Sequence, residues 1–126
     1  MSVNNSSAVR VVVVDDSPPF RDLLIDVVNA TPSMTCVGAL SSGADAIAAV
    51  ERSAPDLVII DKRMPSMDGI EAARQIMARR PETVVILVSV EQPEPRFLER
   101  SGAAAFLNKR QVSPRAIADL WDLHGR

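Results

Sequence analysis

The sequence predicts an α/β fold, a three-layer α/β/α sandwich on a five-stranded parallel sheet. Three observations carry that prediction. Five short apolar runs alternate with segments of helical period, with short connections, no internal repeat and no linker. The clearest of the runs, Val11–Val14 (within the strongly β-branched Val9–Val14) and Leu57–Ile60, are continuously apolar rather than alternating, which suits strands covered on both faces. The 126 residues make one ordinary domain, and a hydrophobic content of 47% supplies its core. Parallel strands joined through helices imply right-handed crossovers.

Each element has its own signal. Val9 to Val14 is the first strand and ends at Asp15-Asp16. Ser17 is placed to cap a helix whose first turn takes Pro18 and Pro19. Phe20, Leu23, Leu24, Val27 and Val28 recur there as one apolar stripe, and Thr31-Pro32-Ser33 breaks the helix. Met34 to Leu40 is the second strand, with Cys36 inside it. Ser42 and Asp45 form a capping-box variant ahead of inward-facing Ala46, Ile47 and Val50. Leu57 to Ile60 is the third strand, ended by Asp61. Asp68 and Glu71 open the third helix, whose stripe is Ile70, Ala73, Ile76 and Met77, and Pro81 stops it.

Thr83 to Val88 is the fourth strand and ends at Ser89. Pro93 and Pro95 confine the fourth helix to about Pro95–Ser101, with Gly102 at its end. Ala103 to Leu107 is a short fifth strand, followed by Asn108 and Lys109. Ser113-Pro114 starts the last helix, with Ile117, Leu120 and Trp121 inward.

Composition excludes several classes. Net charge is −2 with the signs interspersed, so nothing points to a nucleic-acid or membrane surface. A single cysteine, Cys36, permits no intramolecular disulfide and fits a reducing, cytoplasmic setting. The apolar runs are too short to span a bilayer. The segment M-S-V-N-N-S-S lacks the order of a signal peptide, so residues 1–7 read as a disordered lead and residues 8–126 as one domain.

Four of the five strands end in a residue able to do chemistry: Asp15-Asp16, Asp61, Ser89 and Lys109. In a parallel sheet these ends share one rim, where α/β folds bind ligands. Taken singly, each has a plainer use. An acidic pair suits a helix N-terminus, a serine suits a turn, and a lysine is usually a solvated charge. Together they concentrate three carboxylates that repel one another unless cations compensate. Lys109 supplies one charge, and a hard divalent ion, Mg²⁺, is expected to supply the rest. A carboxylate can act as a nucleophile, and metal, ammonium and hydroxyl can neutralise phosphoryl oxygens.

From Val9 to about Leu123 the sequence resembles the receiver domain of two-component response regulators. The resemblance rests on Asp15-Asp16 after the first strand, D-x-x-M-P-x-M-D-G from Asp61 to Gly69, Ser89 after the fourth, and F-L-x-K from Phe106 to Lys109. It implies a flavodoxin-like fold of strand order 2-1-3-4-5. It also implies that Asp61 is the phosphoacceptor and that Mg²⁺ is held by Asp16 directly, Asp15 mostly through water, Asp61 and the backbone carbonyl of Arg63. Ser89 is then the hydroxyl that moves onto the phosphoryl group, Lys109 its ammonium partner, and Phe106 an aromatic switch that turns inward on activation. Pro65 and Gly69 match shape-setting loop positions.

The partner that the resemblance implies is a sensor histidine kinase or a histidine phosphotransfer protein. A homodimer through the last two helices and the fifth strand is a further mode, and neither direct nucleic-acid binding nor membrane contact is expected. A receiver catalyses only its own phosphorylation and dephosphorylation. Three departures stand out: branched Val90 after Ser89, where it narrows the donor's approach to Asp61, Arg110 after Lys109, and a short fourth helix rich in proline.

Two readings from other classes remain beside this one. A phosphorylation-independent interaction module on the same fold is favoured by Val90 and the altered fourth helix, and opposed by intact Asp15, Asp16, Asp61, Ser89 and Lys109. A Mg²⁺-dependent phosphohydrolase requires an acid–base carboxylate close after the nucleophile, and Asp61 is followed by Lys62, Arg63 and Met64.

Overall fold

The computed structural model describes residues 8–92 and 96–125. Their order is β1 (Val9–Val14), α1 (Pro18–Ala30), β2 (Met34–Leu40), α2 (Gly43–Ser53), β3 (Leu57–Asp61), α3 (Gly69–Arg79), β4 (Val84–Ser89), α4 (Phe97–Ser101), β5 (Ala105–Asn108) and α5 (Pro114–His124), with a 3₁₀ turn at Lys109–Gln111. All strand pairs are parallel, in the spatial order β2-β1-β3-β4-β5. The expected sheet and its order are therefore observed. The proposed lead at residues 1–7, and Pro93 and Pro95, lie outside the described residues.

Period-2 alternation divides the sheet into two faces. Val12, Val14, Val58, Ile60, Val85 and Leu87 pack with Ala46, Ile47, Val50, Ile70, Ala73, Ile76 and Phe97 of α2, α3 and α4. Val11, Val13, Leu57, Ile59, Ile86 and Val88 pack with Leu24, Val27, Val28 and Ile117 of α1 and α5. A one-residue slip of any central strand would exchange these sets, so register is strongly specified. Burying each such Val, Leu or Ile contributes about 1.5–3 kcal/mol.

Strand and helix limits differ from expectation where local hydrogen bonds decide them. Thr83 belongs to the turn before β4: its N–H donates to Arg80 O at 3.0 Å and its hydroxyl to Pro55 O at 2.9 Å. Ser89 instead joins the ladder, opposite Asn108. β5 begins two residues late because Gly102 is left-handed (φ 77°) and the Ala103 N–H turns back to Ser101 Oγ at 3.0 Å. α4 is one turn, starting at Phe97 after an N-cap Arg96 with no side-chain capping bond.

The helix caps mostly follow the sequence signals. Ser42, Asp68 and Ser113 each accept the N–H of the residue three ahead. Ser17 occupies the N-cap of α1 but makes no such bond. Pro19, at the second helical position, removes one of the two N–H groups a cap would serve, so less is lost. Leu23 lies off the buried stripe and is 43% exposed.

One contact ties the fold to the β3 terminus. The Gly69 N–H donates to Lys62 O at 2.7 Å. A Cβ on Gly69 would lie 2.2 Å from Asp61 O and 2.8 Å from Lys62 Cα. Both obstacles are backbone, so neither can swing aside. Gly69→Ala is expected to destabilise the protein by about 1–3 kcal/mol, read as a lower urea midpoint. An unchanged midpoint would show that the loop between β3 and α3 yields at no cost.

Candidate functional site

β1 and β3 are paired through Val14 and Ile60, so the next residues of both chains emerge side by side. Alternation places Asp15 after Val13 and Asp61 after Ile59, on the face covered by α1 and α5. Asp15 is fully buried, Asp61 is 5% exposed, and Asp16 is exposed. Each offers a carboxylate oxygen within 4.8 Å of the others. Backbone groups orient the two buried carboxylates. The Ser17 N–H donates to Asp15 Oδ1 at 2.8 Å, and the Arg63 N–H donates to Asp61 Oδ1 at 3.2 Å. The Arg21 guanidinium donates to Asp15 O at 2.8 Å, pinning the turn into α1.

Lys109 enters from the end of β5. Its Nζ lies 2.9 Å from Asp15 Oδ2 and 3.5 Å from Asp61 Oδ2. The first contact is a close ion pair, and among the described residues Asp15 Oδ2 meets no hydrogen-bond donor in good alignment. The same ammonium stands 4.4 Å from the centroid of the Phe20 ring. Lys109 thus faces the two buried carboxylates of the three. Burial pushes the Asp61 carboxyl up from 3.8 to about 6, Asp15 and Asp16 push the same way, and Lys109 and the Arg63 N–H pull it back.

This set fits a hard cation. The donors are all carboxylate oxygens within 4.8 Å of one another, and their charge exceeds that of Lys109. An open depression beside them is lined by Asp16, Arg63, Met64, Pro65 and Asp68.

Ser89 ends β4 on the opposite face, by alternation with Val85 and Leu87. It is 2% exposed, and its Oγ accepts the Glu91 N–H at 3.1 Å. The Glu91 carboxylate reaches back to the loop after β3, 2.8 Å from Arg63 Nε and 3.8 Å from Lys62 Nζ. Phe106 is half-buried on the α3 and α4 side and meets the Phe97 ring edge to face at 5.4 Å and 82°. Lys62, 9% exposed, holds its ammonium 5.9 Å from that Phe97 ring. Val90 is 60% exposed, on the surface of the rim.

The structure therefore brings Asp15, Asp16, Asp61 and Lys109 together, with Ser89 and Phe106 on the other face of the sheet. Phe20, Glu91 and Lys62 were not among the residues singled out in the sequence. Phe20 counted there only as one member of an apolar stripe, and no spacing rule joins a first-turn aromatic to a lysine after the fifth strand.

With this geometry in hand, comparison with known proteins places the chain. Residues 11–120 match the model of the response regulator receiver domain. The chain belongs to that family. It is 40% identical over 99 residues to a protein-glutamate methylesterase/protein-glutamine glutaminase of Anaeromyxobacter dehalogenans, covering 79% of this chain and 29% of that protein. It is 36% identical over 115 residues to the transcriptional regulatory protein YxjL of Bacillus subtilis, covering 90% of this chain and 53% of the relative. The chain thus spans 29% of the first of these curated relatives and 53% of the second, and their named activities are theirs.

Among solved structures, the response regulator domain of Thermotoga maritima CheB superposes with a TM-score of 0.79 at 32% identity, over 91% of this chain and 95% of that one. The receiver domain of NarL from Mycobacterium tuberculosis gives 0.78 at 34% identity, over 90% and 95%. Among the described residues, no helix is long and apolar enough to cross a membrane.

The charge balance has a measurable consequence. Asp61 holds its proton more tightly folded, at about 6, than at the ordinary 3.8 of an unfolded chain. The contribution of Asp61 to the stability of the metal-free protein therefore falls as pH rises from about 4 to about 6, and stays reduced above that. Asp61→Asn removes the penalty. In EDTA at pH 7.5 the variant should be more stable by on the order of 1 kcal/mol once solvent screening is allowed for. The gain should disappear near pH 4. A variant no more stable than wild type at pH 7.5 would mean that Asp61 carries no electrostatic strain.

Proposed function

We propose that residues 8–126 act as a phosphorylatable receiver, with Asp61 as the acceptor. The observation that carries this is the convergence of a buried, oriented carboxylate with two further carboxylates and one ammonium. The donor is a phosphohistidine of a sensor histidine kinase or phosphotransfer protein. An Asp61 oxygen attacks phosphorus, the P–N bond breaks with its electron pair going to the imidazole, and a mixed anhydride forms. Water later cleaves the new P–O bond.

The chain's own groups supply orientation and charge. The Arg63 N–H fixes the Asp61 carboxylate through Oδ1. Lys109, beside Oδ2, is placed to pair with an incoming phosphoryl oxygen. Asp16, Asp15, Asp61 and the Arg63 carbonyl are the groups we assign to Mg²⁺. When bound, the ion offsets the carboxylate repulsion and the phosphoryl charge.

Ser89 provides the switch. Its hydroxyl starts on the α4 side of the sheet, engaged by Glu91 N–H. A phosphoryl group adds nearly two negative charges and new acceptor oxygens at the rim. Ser89 moves toward them, and Phe106, half-buried against Phe97, turns further inward. The face of α4, β5 and α5 then changes, and it is there that we place output and homodimer contacts. An open hollow lined by Gln92, Phe106, Asn108, Arg110 and Gln111 lies on this face. A cytoplasmic setting suits a kinase partner and a single thiol.

Incubation with acetyl phosphate and Mg²⁺, followed by intact mass measurement, tests the reading. A phosphate-sized gain is expected in wild type and not in Asp61→Asn or in EDTA. No gain in wild type would favour a phosphorylation-independent interaction module. Calorimetric titration with Mg²⁺ tests the ligand roles. Asp15→Asn should weaken binding on the order of tenfold, as for a group acting through water, and Asp16→Asn should weaken it more. Equal, negligible effects would remove both from the site. A Val90→Ala variant should speed both phosphorylation and hydrolysis if Val90 narrows the in-line path, and unchanged rates would clear it of that role.

A further inference from the structure

Lys109 has a neighbour that the acceptor chemistry leaves unused. Its ammonium lies 4.4 Å from the Phe20 ring centroid, against 5.9 Å for Lys62 and Phe97. Phe20 stands in the first turn of α1, half-buried and packed on the α1 and α5 layer. That turn is stiff, since Pro18 and Pro19 fix two φ angles and Arg21 ties the preceding loop through Asp15 O. The Lys109 side chain is 16% exposed and has a flexible four-carbon stem. Its charge therefore has three fixed neighbours: Asp15 Oδ2 at 2.9 Å, Asp61 Oδ2 at 3.5 Å and the aromatic face.

The third neighbour differs in kind. A carboxylate attracts the ammonium by opposing its charge and accepts its hydrogen bonds. A ring face attracts it through its quadrupole while leaving its charge and N–H donors available. We propose that Phe20 is a positioning residue for phosphoryl uptake, its ring seating the Lys109 ammonium between Asp15 and Asp61 so that it meets the incoming group without a search. Phe20 acts through Lys109 and touches no reacting atom. The inference rests on the reading of Asp61 as acceptor, and it adds to that reading an aromatic seat on α1.

The test compares wild type with Phe20→Leu and Phe20→Tyr. Leucine keeps an apolar side chain and loses the π face, whereas tyrosine keeps the face. In wild type the Lys109 ε-methylene proton resonances should lie upfield of an unstacked lysine, because they sit over a ring. Phe20→Leu should return them to the ordinary position and slow phosphorylation by acetyl phosphate roughly fivefold, with the circular dichroism spectrum unchanged. Phe20→Tyr should retain both the shift and the rate. The seat is refuted by ordinary Lys109 resonances in wild type, by a Phe20→Leu rate equal to wild type, or by a Phe20→Tyr rate as slow as that of Phe20→Leu. Wild type that gains no phosphate would overturn the acceptor reading and the rate effect with it, while the resonances would still decide whether the ring holds Lys109.

Discussion

The site depends on a shortage of positive charge. Asp15, Asp16 and Asp61 bring three carboxylates within 4.8 Å, and Lys109 is the cation in contact with the two buried ones. Like charges at such distances raise one another's pKa values unless something compensates. The protein does not relieve the conflict by exposing the groups, since Asp15 is fully buried and Asp61 nearly so. It leaves a demand that a divalent cation and then a rearranged ammonium can meet. The Asp61 carboxyl is raised first by its burial and then by Asp15, and Lys109 offsets only part of both.

The sheet creates this shortage and also divides its consequences. In a parallel sheet all carboxyl ends lie on one rim, and alternation then sorts side chains between layers. Asp15 and Asp61 fall on the side of α1 and α5, where Phe20 and Lys109 meet them. Ser89 and Phe106 fall on the side of α3 and α4, where Phe97 and Lys62 pack. In the proposed function, a signal at Asp61 passes between adjacent strands β3 and β4 to reach the other layer. Glu91 already spans that gap, with its N–H on Ser89 and its carboxylate on Arg63 and Lys62.

Much of this was legible in the sequence because the controlling signals are local. Continuous apolar runs marked the strands, and Ser42, Asp68 and Ser113 marked helix starts that the structure keeps. The acidic pair, Asp61 and Lys109 converge because topology alone brings strand ends together. What local pattern could not supply was contact across layers. The Phe20 seat and the Glu91 bridge join residues far apart in sequence through side-chain direction. Strand limits slipped where a side chain competed with the ladder, as with Thr83 bonding Pro55 and Ser101 bonding Ala103. Ser17 shows the converse: its residue type suggests a cap, but Pro19 at the second helical position leaves the cap with less to do.

The account centres on Asp61 as the residue that becomes covalently modified. The most direct measurement is to treat the phosphorylated protein with borohydride, which reduces an aspartyl phosphate to homoserine, and to map the product by peptide mass spectrometry. The account predicts homoserine at position 61 and unmodified aspartate at positions 15 and 16. Homoserine at 15 or 16, or none anywhere after a documented phosphate gain, would contradict it.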